Sequence, residues 1–412
     1  MEKSLDRKLA NILKDRSCND FILADAKDGD MAYGLSAPGL SPENYSSEFK
    51  YKTLDDYRAQ IREVIKQGLV DIVLMSASTN EQLTLKERLF ENTAITPAIR
   101  ANDASDIWLA GTKTVYSSVP SRPFRTASLD HALCGHVQCS KAEIAAKRGA
   151  DLGLYSLTFN NDLEYDAKTL DAYNDFRVEA ELKGFRHFLE VFSPNAPVNP
   201  IDDVPKFVSD HIVRTLAGVT SSGRPIFLKI PYYGPKAMEA LVRYDSTLVV
   251  GILGGSSGTT LDAFQMLYDA KKYGARVALY GRKINNSEHQ LTFITYLRAI
   301  ADGQIWPMEA VKAYHGDLEK LKIKPLCSLE DDLRTTTQSL NYSGSSSVSM
   351  TGSTKPDSTS KSIPSKVSER KVAIKPTFPP TSPEKKFSKN PDFSKMTQQE
   401  KLQWNLERIR RM

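Results

Sequence analysis

From its start to about residue 326 the chain alternates short, β-branched apolar runs with longer stretches patterned at helical spacing. Strands that alternate with helices pair in parallel, because a parallel pair needs a crossover connection of roughly a dozen residues or more. The apolar runs at 20–24, 71–76, 96–99, 152–157, 187–192, 225–230, 247–253 and 276–281 predict eight strands. Amphipathic patterns at 54–67, 141–148, 167–183, 205–217, 235–242 and 261–273 predict helices among them. Eight such units over about 300 residues fit one α/β (β/α)8 TIM barrel, a fold of about 250 residues plus insertions. An open doubly wound sheet is the competing architecture, and no G-x-G-x-x-G follows the first strand to support it. Residues 112–138 are long for a plain connection and predict an excursion or lid-like insertion between strands three and four.

Past about residue 335 Ser, Thr, Pro and Lys take over and aliphatic residues nearly vanish. Such a segment cannot bury enough apolar surface to offset its conformational entropy. The expected organisation is a barrel domain at 1–326, a disordered linker at 327–395 and an amphipathic helix at 396–412. Thr397 and Glu400 fit a capping box, and Leu402, Leu406 and Ile409 fall on one face. A helix this short is marginal alone, so it is expected to form on a protein partner.

Residues 355–412 hold fourteen Lys and Arg against six Asp and Glu, so a chain of net +5 leaves residues 1–354 at net −3. The basicity belongs to the tail, and a nucleic-acid-binding core is not expected. No apolar run approaches the roughly 20 residues that span a bilayer, and the charged start lacks the apolar stretch of a secretory signal. A membrane location is therefore not expected. Cys18, Cys134, Cys139 and Cys327 are too few and scattered for a disulfide framework, which predicts a reducing cytoplasm.

In a barrel of this kind chemistry sits at the C-terminal ends of the strands. Lys229 ends the sixth run, inside Ile-Phe-Leu-Lys-Ile-Pro. Burial there disfavours the ammonium and favours the neutral amine, the form that attacks a carbonyl to give a Schiff base. A surface or salt-bridged structural lysine is the alternative. Glu190, in His-Phe-Leu-Glu-Val-Phe, is a carboxylate in an apolar strand and predicts an acid/base or an ion-pair partner. Asp25 closes the first strand and is expected at the site, with Asp28 and Asp30 capping or turning the following loop. The runs Gly254-Gly255-Ser256 and Gly281-Arg282 follow strands seven and eight, where barrels often bind phosphate. His131, Cys134, His136 and Cys139 match no zinc spacing; they predict packing or local hydrogen bonding, and no metal is expected.

Together these motifs resemble the class I aldolase superfamily, including the deoxyribose-phosphate, tagatose-bisphosphate and archaeal-type fructose-bisphosphate aldolases. The likeness covers about residues 20–284 and is better in the last three strands. Leu-Lys-Ile-Pro looks like that family's Schiff-base lysine motif, which implies Lys229. Phe-Leu-Glu-Val looks like the tagatose-bisphosphate branch's active-site strand, which implies Glu190. Asp25-Ala26-Lys27 is similar to that branch's Asp-Gln-Arg and implies Asp25 and Lys27. The glycine loops match the family's phosphate loops and imply Gly255, Ser256, Gly281 and Arg282. The fourth strand departs: where the branch has a lysine in Gly-Ala-Asp-x-x-Lys, this chain has Leu154. Tyr155 is the residue there that offers a hydroxyl for proton transfer.

The resemblance implies an aldehyde-lyase that makes or breaks a carbon–carbon bond in a phosphorylated sugar or aldehyde, with no metal or other cofactor. Protons would move through Glu190, Asp25 or Tyr155. Leu154 and the terminal helix motivate the alternative, a non-catalytic phosphosugar-binding barrel acting as a scaffold or sensor. A homo-oligomer is the expected assembly. The linker and terminal helix resemble the encapsulation peptides of bacterial microcompartments, implying a shell protein as the helix's partner; another docking surface is the alternative.

Overall fold

Eight parallel strands close into a barrel: β1 (Ile22–Lys27), β2 (Ile72–Met75), β3 (Thr96–Arg100), β4 (Leu152–Thr158), β5 (Arg186–Phe192), β6 (Leu228–Ile230), β7 (Val250–Leu253) and β8 (Val277–Tyr280). Each pairs with its sequence neighbours, and β8 pairs with β1 to complete the ring. The structure is a computed structural model describing residues 1–41, 51–109, 114–255 and 258–336. Ser256 and the segment 337–412, with the expected helix at 396–412, lie outside these residues. Every strand forms where an apolar run predicts it, with ends displaced by a few residues.

The register divides each strand into two faces. Residues such as Ile22, Ala24, Leu74, Ala98, Leu154, Phe188, Phe227 and Leu279 fill the barrel interior. Their neighbours, including Leu23, Val73, Ile99, Leu157, Leu189 and Ile252, pack outward against the helices. This is the alternation that a pleated strand imposes. The helix Ser4–Lys14 sends Leu5 and Ile12 into the interior cluster, while Phe188 stacks on Phe227 at 4.6 Å. Phe227 is fully buried, and burial of one such ring stabilises by roughly 1.5–3 kcal/mol.

The excursion between β3 and β4 is folded where it is described. Asp103–Ala104 pairs antiparallel with Pro123–Phe124, and the helix Leu129–Cys134 buries Leu129, Ala132 and Leu133. His131 and His136 make the expected local hydrogen bonds, while Cys134 and Cys139 form a disulfide, a bridge the expectation of packing or hydrogen bonding did not include. After β8 the helices Gln290–Ala301 and Pro307–Lys320 complete the outer layer. Among the described residues no helix is long and apolar enough to cross a membrane.

Candidate active site

The C-terminal ends of β1, β3, β5 and β6 place four charged side chains, Asp28, Arg100, Glu190 and Lys229, in one buried group. Strand pairing sets Ser156 of β4 beside Glu190 of β5, and Glu190 beside Lys229 of β6. Lys229 Nζ lies 2.6 Å from Glu190 Oε1, with both side chains almost wholly buried. Glu190 Oε2 accepts a hydrogen bond from Ser156 Oγ at 2.8 Å, and Arg100 Nη2 is 3.6 Å from that oxygen. Arg100 also donates from Nη1 to Ser156 Oγ at 3.0 Å and from Nε to Asp28 Oδ2 at 2.6 Å. Two cations thus face two carboxylates. That balance is what makes so much buried charge tolerable, because an unpaired ion there would cost several kcal/mol.

The residues beneath explain the position of this layer. Leu154, Phe188 and Phe227 stand two residues before Ser156, Glu190 and Lys229 on the same interior face and form an apolar floor. Asn102, just past β3, donates from Nδ2 to the Ser156 carbonyl at 3.0 Å and accepts from the Ser156 amide at 2.7 Å. It imitates a strand partner and fixes the backbone that carries Ser156.

Lys229 lines a cleft of about 510 Å³, its open mouth included, with Asp28, Gly254, Gly255, Gly281 and Arg282. The two glycine loops expected to hold phosphate therefore meet the lysine in one cleft. Close packing forbids side chains on both. A Cβ on Gly254 would fall 2.2 Å from the Tyr280 ring, and one on Gly281 would fall 2.7 Å from the Ala26 carbonyl oxygen. Lys283 Nζ donates to the Gly258 carbonyl at 2.6 Å and braces the first loop from the second. The N-terminus of the following helix, Thr260–Lys272, is already engaged: the Thr260 amide donates to Asp332 Oδ1 at 2.6 Å.

Three expected site residues are not brought here. Asp25 and Lys27 lie on the outer face of β1, because side chains alternate and Ala24 and Ala26 take the inner one. They form a buried pair at 3.4 Å, and Lys27 donates to Gln290 Oε1 at 3.0 Å on the outer helix. Burial pushes the Asp25 carboxyl up to about 6 and the Lys27 amine down, with the attraction between them opposing both shifts. Tyr155 also faces outward, stacked on Phe176 at 4.4 Å, and burial raises its hydroxyl pKa. In place of Asp25 the barrel mouth has Asp28, whose carboxylate meets Arg100 and makes no side-chain cap to the turn Gly29–Met31. Arg100, Asp28 and Ser156 were not foreseen. The readable signal for Arg100 was the same as for Lys229, a charge closing an apolar strand.

Fold and centre together define a (β/α)8 barrel with a buried lysine–carboxylate pair at its C-terminal mouth. No protein-family model matches the sequence, and no curated protein matches it. Among solved structures, a fructose-bisphosphate aldolase from Slackia heliotrinireducens aligns with a TM-score of 0.54 at 14% identity, covering 76% of this chain and 91% of that one. An archaeal fructose 1,6-bisphosphate aldolase aligns at 0.49 and 16%, covering 72% and 99%. A second archaeal structure, with its catalytic lysine bound to a carbinolamine intermediate, aligns at 0.49 and 16%, covering 72% and 100%. The first of these likenesses shows a shared barrel fold.

Proposed function

We propose that the chain is a class I aldolase that forms a Schiff base through Lys229 and acts on a phosphorylated, sugar-like carbonyl compound. The observation that carries this reading is the contact of Lys229 Nζ with Glu190 Oε1 at 2.6 Å, with Lys229 lining the cleft beside residues of the two glycine loops. A primary amine held beside a carboxylate has both a nucleophile and a proton carrier in reach.

The chemistry follows from that pair. Lys229 Nζ adds to the substrate carbonyl, and the oxygen leaves as water after taking up two protons. The resulting iminium withdraws electrons from the neighbouring carbons. Glu190 accepts the proton of the hydroxyl one carbon beyond, the carbon–carbon bond breaks, and its electron pair becomes the enamine. Protonation of the enamine and addition of water return the amine and release the ketone. The synthetic direction reverses these steps. Ser156 and Arg100 hold the Glu190 carboxylate in place through Oε2, leaving Oε1 to face the amine. Gly255, Ser256 and Arg282 bind the phosphate, so contacts remote from the reacting carbon orient it.

Leu154 sits in the apolar floor where the resemblance implied a lysine. In this reading Arg100, reaching in from β3, supplies the second cation. The test is steady-state aldol cleavage of ketose phosphates by the wild type and by Lys229→Met. Cleavage by the wild type with loss of about 10³-fold or more in the variant supports the proposal. Equal turnover overturns it. Phosphosugar binding without any turnover favours the scaffold reading that Leu154 motivates.

A further inference from the structure

The disulfide between Cys134 and Cys139 is part of a larger cluster. Cys134 Sγ, a ring nitrogen of His136 and a carboxylate oxygen of Glu143 all lie within 4.8 Å of one another. Cys139 Sγ is bonded to Cys134 Sγ. None of the four residues lines the Lys229 cleft. Cys134 ends the short helix Leu129–Cys134, Glu143 lies in the short helix Lys141–Ala146, and His136 and Cys139 occupy the loop between them.

Two of the side chains are held by bonds that leave one ligand atom each directed at the cluster. His136 Nδ1 donates to the Val137 carbonyl at 2.9 Å, which turns Nε2 toward Glu143 Oε1, also at 2.9 Å. Glu143 Oε2 accepts from the Ser140 amide at 2.8 Å and from Ser140 Oγ at 2.7 Å, so Oε1 is the oxygen left facing inward. Hydrogen bonds of this kind, outside the ligand set, orient metal-binding imidazoles and carboxylates. Bonds of about 2.0–2.3 Å to a tetrahedral ion place donor atoms roughly 3.3–3.8 Å apart. Reaching that spacing from the 4.8 Å limit requires Cys134, His136 and Glu143 to close by about 1 Å, while the two sulfurs, bonded to each other in the disulfide, move apart on reduction.

We infer that the reduced chain binds one divalent ion of the zinc type through Cys134 Sγ, Cys139 Sγ, His136 Nε2 and Glu143 Oε1, and that ion and disulfide are alternative occupants of one site. Two equivalents of a monothiol, or one of a dithiol, reduce the disulfide and are themselves oxidised to a disulfide. The two cysteines then carry two thiol protons, which are released as the ion takes both thiolates. His136 gives up the Nε2 proton it shares with Glu143. The spacing resembles no common zinc pattern because its fourth donor is a glutamate seven residues past the histidine. Either occupant closes the same loop. Ala132, anchored in the core beside it, accepts a hydrogen bond from the Ala150 amide as the chain enters β4.

Cobalt(II) is the probe that separates this site from adventitious binding. Full-length protein is reduced anaerobically with excess phosphine, freed of it, and titrated with cobalt(II) and then zinc(II). The expected result is one equivalent of cobalt with thiolate charge-transfer and tetrahedral ligand-field absorption, bleached by one equivalent of zinc. The oxidised chain shows neither band, a comparison that requires no variant. Cys134→Ser abolishes the site and Glu143→Gln weakens it at least about tenfold, with circular dichroism verifying the fold. Zinc also slows re-formation of the disulfide, read by thiol titration. Absence of the cobalt bands in the reduced chain overturns the inference. So does equal binding by the oxidised chain or by Cys134→Ser.

Discussion

Lys229 and Glu190 stand side by side on neighbouring barrel strands, paired in register, with Nζ 2.6 Å from Oε1 and scarcely any solvent at either side chain. The other carboxylate oxygen is tied to Ser156. The two groups therefore have separable roles, and substitution can address each one.

Glu190→Gln retains the shape and the Ser156 contact while removing the proton carrier. The account predicts a fall in kcat of about 10²–10³-fold with KM changed far less. Steady-state kinetics on any accepted substrate measures both, and an unchanged kcat would assign Glu190 a merely structural role.

Arg100 bridges Asp28 and Ser156 from a fully buried position. Arg100→Met leaves Asp28 as a buried carboxylate without its cation. Breaking such a pair costs about 3–5 kcal/mol, so a large drop in Tm is expected by calorimetry. A shift of less than a degree would show that the pair contributes little.

Arg282 shares the cleft with Lys229, at the loop after β8. Arg282→Met should raise KM for a phosphorylated substrate about 10- to 100-fold, the worth of one charge-assisted hydrogen bond. The unphosphorylated analogue should be hardly affected. Equal losses on both substrates contradict phosphate recognition by this residue.

Tyr155→Phe tests which face of β4 meets the substrate. The ring stacks outward on Phe176 and the interior positions belong to Leu154 and Ser156. Activity per folded molecule is expected to stay within about twofold, because no reacting atom loses a partner. A loss near that of Glu190→Gln would require the strand to present its other face.

His187, buried on the outer face of β5, has Nε2 2.8 Å from the Tyr173 hydroxyl, and burial holds its imidazole down at about 3. The unfolded chain takes up this proton near 6.5 while the folded chain stays neutral. Its contribution to stability is therefore full above that pH and declines by about 1.4 kcal/mol per pH unit as the pH falls toward 3. Denaturant unfolding of wild type and His187→Gln between pH 7 and 4 measures the difference. A steeper decline for the wild type is predicted, and parallel curves would contradict it.

The same physics made the strands legible and concealed their faces. A parallel sheet covered by helices is buried on both sides, so its strands read as continuous apolar runs and stand out from the helical patterns. Those runs carry no inside–outside alternation. The sequence therefore distinguished neither Asp25 from Asp28 at the end of β1 nor Tyr155 from Ser156 on β4, though in each case one residue faces the barrel mouth and the other the helices. Lys229 and Glu190 were readable because a charge inside an apolar run is costly wherever it points. Asn102 was not, since its role depends on the pairing of β3 with β4, which sets its amide against the Ser156 backbone.

The central claim is tested most directly by borohydride reduction of the protein mixed with phosphorylated ketones and aldehydes, followed by peptide mass spectrometry. The account predicts a reduced, substrate-derived adduct on Lys229, absent from Lys229→Met. It also predicts slower trapping in Glu190→Gln. An adduct on another lysine, or none on Lys229 with any compound while a known Schiff-base aldolase is labelled in parallel, would contradict it.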